Sequence, residues 1–97
     1  VYITRLGTHS NYVFLEFRVQ SKNRMKFKPE WVWITNGKNT IPIYNMALSS
    51  LDLSPWNDLS GLIQLKSNDV LSLKSLRIEI RGKEKIVINL PSIKSWR

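Results

Sequence analysis

Lys26–Tyr44 reads KFKPEWVWITNGKNTIPIY. Asn36-Gly37 lies between two apolar runs, the strongest short-range hairpin signal a sequence offers. Both residue types tolerate positive φ, which a type I′ turn needs at its two central positions. Trp31, Val32, Trp33 and Ile34 are too bulky for a loop and form the incoming arm; Thr40–Tyr44 forms the return arm. Pro29 lacks an N–H, so the continuous strand is expected to start near Glu30. Trp31, Trp33 and Thr35 share one face and Val32 and Ile34 the other, with Trp31 or Trp33 expected in the core. Pro42 marks the return strand as an edge strand or a bulged one.

The same alternation extends on both sides. Val1–Leu6 reads as a first strand closed by Gly7 and the polar corner THSN. Asn11–Gln20 is the clearest strand: Val13, Leu15, Phe17 and Val19 point to the core, while Tyr12, Phe14, Glu16, Arg18 and Gln20 point away from it. Ser21–Met25 is a polar loop. Asn45–Ser60 fits neither period and is expected to be a long connection, tucked against the body by Leu51, Leu53 and Trp56. Gly61–Ser67 is a strand, and Asn68–Leu73 a turn region. Ser75–Leu90 is a second hairpin, in which Leu76, Ile78, Ile80, Ile86, Ile88 and Leu90 alternate with mostly polar neighbours. Gly82-Lys83 suits a type II′ turn there. The tail beyond Pro91 carries Trp96, expected to fold back on the body or to contact the next part of the native protein.

About seven short strands without a sustained helical period define an all-β chain, expected to be an immunoglobulin-like antiparallel sandwich of two sheets. An aromatic-rich third strand is reminiscent of the buried Trp of immunoglobulin strand C, here without a disulfide. Ninety-seven residues make a single domain, 1–97. The chain opens directly into VYITRL, with neither an initiator Met nor a signal peptide, as expected of a domain processed out of or excised from a longer protein.

Composition narrows the chemistry. There is no cysteine, which removes disulfides, thiol catalysis and zinc–cysteine sites together. No apolar run approaches the roughly 20 residues of a membrane helix. Fifteen Lys and Arg against seven Asp and Glu give a net charge of +8, which raises encounter rates with polyanions and anionic surfaces. The lone histidine, His9, stands in an expected corner without partners for a site. Asp52 and Asp58 are too few and too far apart for a metal and read as turn residues. Nucleophile motifs and glycine-rich phosphate loops are missing. The expectation is a protein that is not an enzyme and holds no cofactor or metal.

One constellation remains. Lys22, Arg24, Lys26 and Lys28 crowd the second connection, and Arg81, Lys83 and Lys85 the last hairpin turn. In an immunoglobulin-like topology these two connections fall at one end of the sandwich, together with the long connection bearing Trp56. Seven cations, offset by Glu84, would share that end with one aromatic ring. The opposite end would hold the Asn-Gly turn and the SNDVLS turn, with Lys38 against Asp69. Hairpin tips also carry lysine simply to stay soluble.

The order of features resembles the immunoglobulin-like accessory domains of bacterial secreted, lipid-anchored and envelope proteins. The features are YVFLEFRVQ, a proline–aromatic–strand–NG–return unit, a linker with Leu53-Ser54-Pro55, a GLIQL strand and a final hairpin. Those domains commonly carry Leu-x-Pro-Gly before that strand; here Trp56 stands in place of the Gly, and Gly61 arrives late. The resemblance implies a binding or assembly module of a larger extracytoplasmic protein, in the periplasm or cell envelope. Its partner would be a protein or neighbouring domain, an anionic polymer or a membrane surface. The alternative is a basic β domain that binds nucleic acid. Exposure of the aromatics separates the two: rings lining an open groove beside the cations favour nucleic acid, buried rings beneath a basic end favour assembly.

Overall fold

The computed structural model describes residues 1–73, 75–91, 93 and 96. Ten strands form among them: β1 (Tyr2–His9), β2 (Tyr12–Gln20), β3 (Met25–Lys26), β4 (Val32–Thr35), β5 (Thr40–Ile41), β6 (Asn45–Leu48), β7 (Asp52–Leu53), β8 (Asp58–Lys66), β9 (Leu76–Arg81) and β10 (Lys85–Leu90). A 3-10 turn at Pro29–Trp31 precedes β4, and one helical turn, α1 (Ser67–Val70), comes after β8. One four-stranded sheet runs β1-β2-β8-β6, a second β10-β9-β4-β5, and β3 pairs with β7 by itself. Every pairing is antiparallel. The chain is therefore all-β, as expected, but with ten strands in three sheets instead of about seven in two.

The period-2 pattern explains the core. Val13, Leu15 and Phe17 of β2 are fully buried and Val19 nearly so; Leu59, Ile63 and Leu65 of β8 stand beside them. The second sheet contributes Val32, Ile34, Leu76, Ile78, Ile80 and Leu90 to the same hydrophobic cluster, which Phe27, Leu53, Val70, Ile93 and Trp96 close at its margins. Each such side chain contributes about 1.5–3 kcal/mol. Gly61 is required by this packing: a Cβ there would overlap the Phe17 ring.

Several local expectations give way. β1 runs through Gly7 and Thr8 to His9, because those residues keep pairing with Phe14 and Val13. Ser10 then turns the chain with φ 55, the sign a type II′ turn needs at its first central residue. The Asn36-Gly37 turn is a four-residue loop between Thr35 and Thr40, not a type I′ turn. Gly37 alone has positive φ, at 99°. The Asn36 carboxamide oxygen accepts from the amides of Lys38 (2.9 Å) and Asn39 (2.7 Å), so the side chain closes the turn. Gly82 likewise lacks the positive φ of a type II′ turn, and residues 82–84 form a three-residue loop between the paired Arg81 and Lys85.

The long connection after Tyr44 holds β6 and β7 and the start of β8. Of its three expected anchors only Leu53 is buried; Leu51 is 51% and Trp56 75% exposed. The arm bearing the tryptophans also reverses its expected face. Val32 and Ile34 enter the core, Trp31 is half-buried, and Trp33 is 38% exposed on the outer face. The buried tryptophan is instead Trp96, whose indole N–H donates to the Pro91 carbonyl at 3.0 Å.

Candidate functional site

Three connections meet at one end of the molecule. β2 ends and β8 begins there, since Gln20 pairs with Asp58; β4 begins where β9 ends, since Val32 pairs with Ile80. Backbone bonds join the connections to one another. Met25 pairs with Leu53 and Lys26 with Asp52. The Phe27 amide donates to the Leu51 carbonyl at 2.7 Å, and the Trp56 amide to the Ser21 carbonyl at 3.2 Å. The Phe27 ring is buried and meets Trp31 edge-on, with 5.4 Å between centroids. Trp31 in turn lies over Gly82, where a Cβ would come within 3.2 Å of its ring. The absent side chain at Gly82 thus seats the last hairpin against the 3-10 turn.

This framework brings together all eight residues singled out from the sequence: Lys22, Arg24, Lys26, Lys28, Trp56, Arg81, Lys83 and Lys85. All eight are exposed. They are not equivalent. Glu79, buried at 4% on the outer face of its sheet, takes Arg81 at 3.1 Å and Lys85 at 3.4 Å, with Arg77 at 3.6 Å. Thr35 donates a further hydrogen bond to it at 3.1 Å. Burial pushes the Glu79 carboxyl up, but its bonds to Arg81, Thr35 and Lys85 outweigh this and hold it below its ordinary value. Arg81 also lies over the Trp33 ring, 4.4 Å from its centroid, a cation–π contact. Arg81 and Lys85 are therefore committed within the fold. Lys22, Arg24, Lys26, Lys28 and Lys83 take part in no ion pair among the described residues. The end is not uniformly basic: Asp52 stands opposite Lys26, and Glu84 shares the hairpin loop.

Trp56 is the unusual residue. The Asn57 amide donates to the Ser54 carbonyl at 3.2 Å, closing a turn with Pro55 second and Trp56 third. Trp56 has φ 66. Positive φ at the third position is the mark of a type II turn, which Gly normally supplies. An L-residue there costs roughly 1–2 kcal/mol. The indole recovers little of this by packing, being 75% exposed. The sequence places Trp56 at this end but suggests that it folds onto the body, which it does not. Leu51, also exposed, escapes sequence reading as part of the surface, because its i, i+2 spacing to Leu53 suggests a shared inward face. β7 begins only at Asp52, so that alternation does not reach Leu51.

Tyr2, 43% exposed, also lies at this end, where its hydroxyl donates to Asp58 at 3.3 Å; the Tyr12–Tyr44 pair sits elsewhere. Tyr12 and Tyr44 approach to 5.0 Å on the outer face of the first sheet, and Lys66 lies 5.3 Å from the Tyr44 ring. Interaction with the neighbouring Tyr44 hydroxyl raises the Tyr12 pKa. Tyr12 is at the start of β2, whereas the cations come after its end. Around Phe14 a shallow hollow is lined by Arg5, Gly7, Thr8, Glu16 and Leu62. Asp58 accepts from Gln20, Arg18 and Tyr2, and the Gln20 bond foremost holds its carboxyl below the ordinary value. His9 is exposed and pairs with Tyr12 across the first hairpin. Among the described residues no three His, Cys, Asp or Glu side chains gather as metal ligands.

The chain matches no protein-family model, no curated protein and no solved structure.

Proposed function

We propose that this chain is an immunoglobulin-like sandwich acting as a non-catalytic binding and assembly module of a larger extracytoplasmic bacterial protein. Its contact surface is the end carrying Trp56 and the cations. The strand orders support the first part. β1-β2-β8-β6 corresponds to A-B-E-D, and β10-β9-β4-β5 to G-F-C-C′, of the immunoglobulin arrangement. In that frame β3 and β7 are additions within the B–C and D–E connections. The B–C and F–G loops, which contribute to antigen contact in variable domains, are here the connections bearing the cations. That correspondence is an analogy of fold.

The observation that carries the reading is Trp56 itself. A tryptophan held exposed, in a backbone conformation suited to glycine, is costly for the fold. Large aromatic side chains are prominent among the anchors of binding surfaces, and backbone strain gathers at functional sites. Clustered free cations around it favour an acidic counterpart. Nucleic acid is less well served. A single-stranded partner needs a row of open rings beside the cations, but Arg81 covers Trp33, Trp31 is packed on Phe27 and Gly82, Tyr2 is tied by its hydroxyl to Asp58, and the Tyr12–Tyr44 pair lies toward the other end.

The test uses immobilised poly-L-glutamate as an acidic surface. At low salt the chain is retained, and a K22S/R24S/K26S/K28S/K83S variant elutes early with an unchanged circular dichroism spectrum. Equal retention of the two proteins would remove this end from the account.

A further inference from the structure

We propose that the loop end docks on an anionic lipid surface, Trp56 and Leu51 entering the interface while Lys22, Arg24, Lys26 and Lys28 face the headgroups. The inference rests on the reading of this end as the contact surface and names its partner.

Two exposed apolar side chains belong to one short connection, Leu51 at 51% and Trp56 at 75%. Each is tied by its backbone to the connection that carries the cations: Leu51 through its carbonyl to Phe27, Trp56 through its amide to Ser21. The two apolar side chains and the cations thus belong to two connections joined by backbone bonds, held on the buried Phe27 and Leu53. One described hollow lies around Phe14 and one between Trp33 and Ile41, and neither is lined by Leu51, Trp56 or the four cations. Stable attachment to a bilayer takes two signals, apolar insertion and attraction to anionic headgroups. Tryptophan favours the headgroup level because its ring is apolar and its N–H polar. Leucine adds nothing to a nucleic-acid stacking platform, but it adds to insertion.

The test is cosedimentation of the whole chain with vesicles of phosphatidylcholine, alone or with one quarter phosphatidylglycerol, at low and physiological salt. The chain is expected to bind the anionic vesicles at least tenfold more tightly than the neutral ones. Each cation removed weakens binding about fivefold, from the attraction of a Lys or Arg near such a surface. An L51S/W56S variant loses about tenfold for each side chain, while circular dichroism shows it folded. Tryptophan emission shifts to the blue with anionic vesicles in the wild type and not in the variant. Equal binding of variant and wild type overturns insertion, and with it the proposal. Absence of vesicle binding with retention on poly-L-glutamate overturns the lipid partner and leaves the contact surface standing. Loss of both overturns both. Tight binding of a single-stranded oligonucleotide without vesicle binding overturns the proposal in favour of nucleic acid.

Discussion

Replacing Trp56 by Gly and by Ala separates what the backbone wants at this position from what the indole does. Both substitutions remove the same ring, so the loss of its small buried fraction cancels between them. At an ordinary site Gly is less stable than Ala by about 0.4–1 kcal/mol, because the unfolded chain gains freedom. At φ 66 alanine retains the left-handed penalty of roughly 1–2 kcal/mol, which glycine does not bear. At the middle of both ranges the difference favours Gly by about 0.8 kcal/mol, reversing the usual order. In a domain of this size that is a Tm difference of roughly 3–6 °C. Urea unfolding followed by circular dichroism measures it free of the altered fluorescence. W56A equal to or more stable than W56G would refute the strained turn. Trp56 would then bear no mark of being kept for contact at a cost to the fold.

The packing sets other expectations. Gly61→Ala forces a methyl into the Phe17 ring and should destabilise by about 1–3 kcal/mol or more, read as a lower urea midpoint. Asn36→Ala removes the acceptor of two turn amides and should cost about 1–2 kcal/mol, with amide exchange rising first at Lys38 and Asn39. Acid should weaken the fold through Glu79 and Asp58. Both carboxyls are held below their ordinary values, so their stabilisation is complete above the unfolded carboxylate pKa of about 4 and is lost as pH falls through the lower folded values. The urea midpoint should therefore fall below about pH 4, and less steeply in an E79Q variant.

The pattern of the long strands is legible in the sequence because one face is dry and the other wet. Val13, Leu15, Phe17 and Val19 can be assigned from alternation alone, and so can Leu76, Ile78 and Ile80. Short strands are not legible for the converse reason. β6 and β7 have four and two residues, too few for a period, and are held by partners distant in sequence. The tryptophan arm misleads because ring size argues for burial, whereas register decides the face: Val32 and Ile34 share the side of Ile78 and Ile80. At the candidate site, chain topology suffices to gather the cations at one end. Their division is hidden, since Glu79 is on the outer face of a strand and nothing local in the sequence marks it as buried or claims Arg81 and Lys85 for it. The strain at Trp56 has a trace in the sequence, a tryptophan where the Leu-x-Pro-Gly pattern has glycine, but only its φ makes that departure costly.

The contact surface is tested most directly by mapping backbone amide chemical shifts while a short poly-L-glutamate peptide is titrated in. The account predicts perturbations confined to residues 21–28, 51–57 and 82–85, saturating together and weakening with salt. Shifts centred on Tyr12, Phe14 and Tyr44 instead, with the Trp56 turn unmoved, would contradict it.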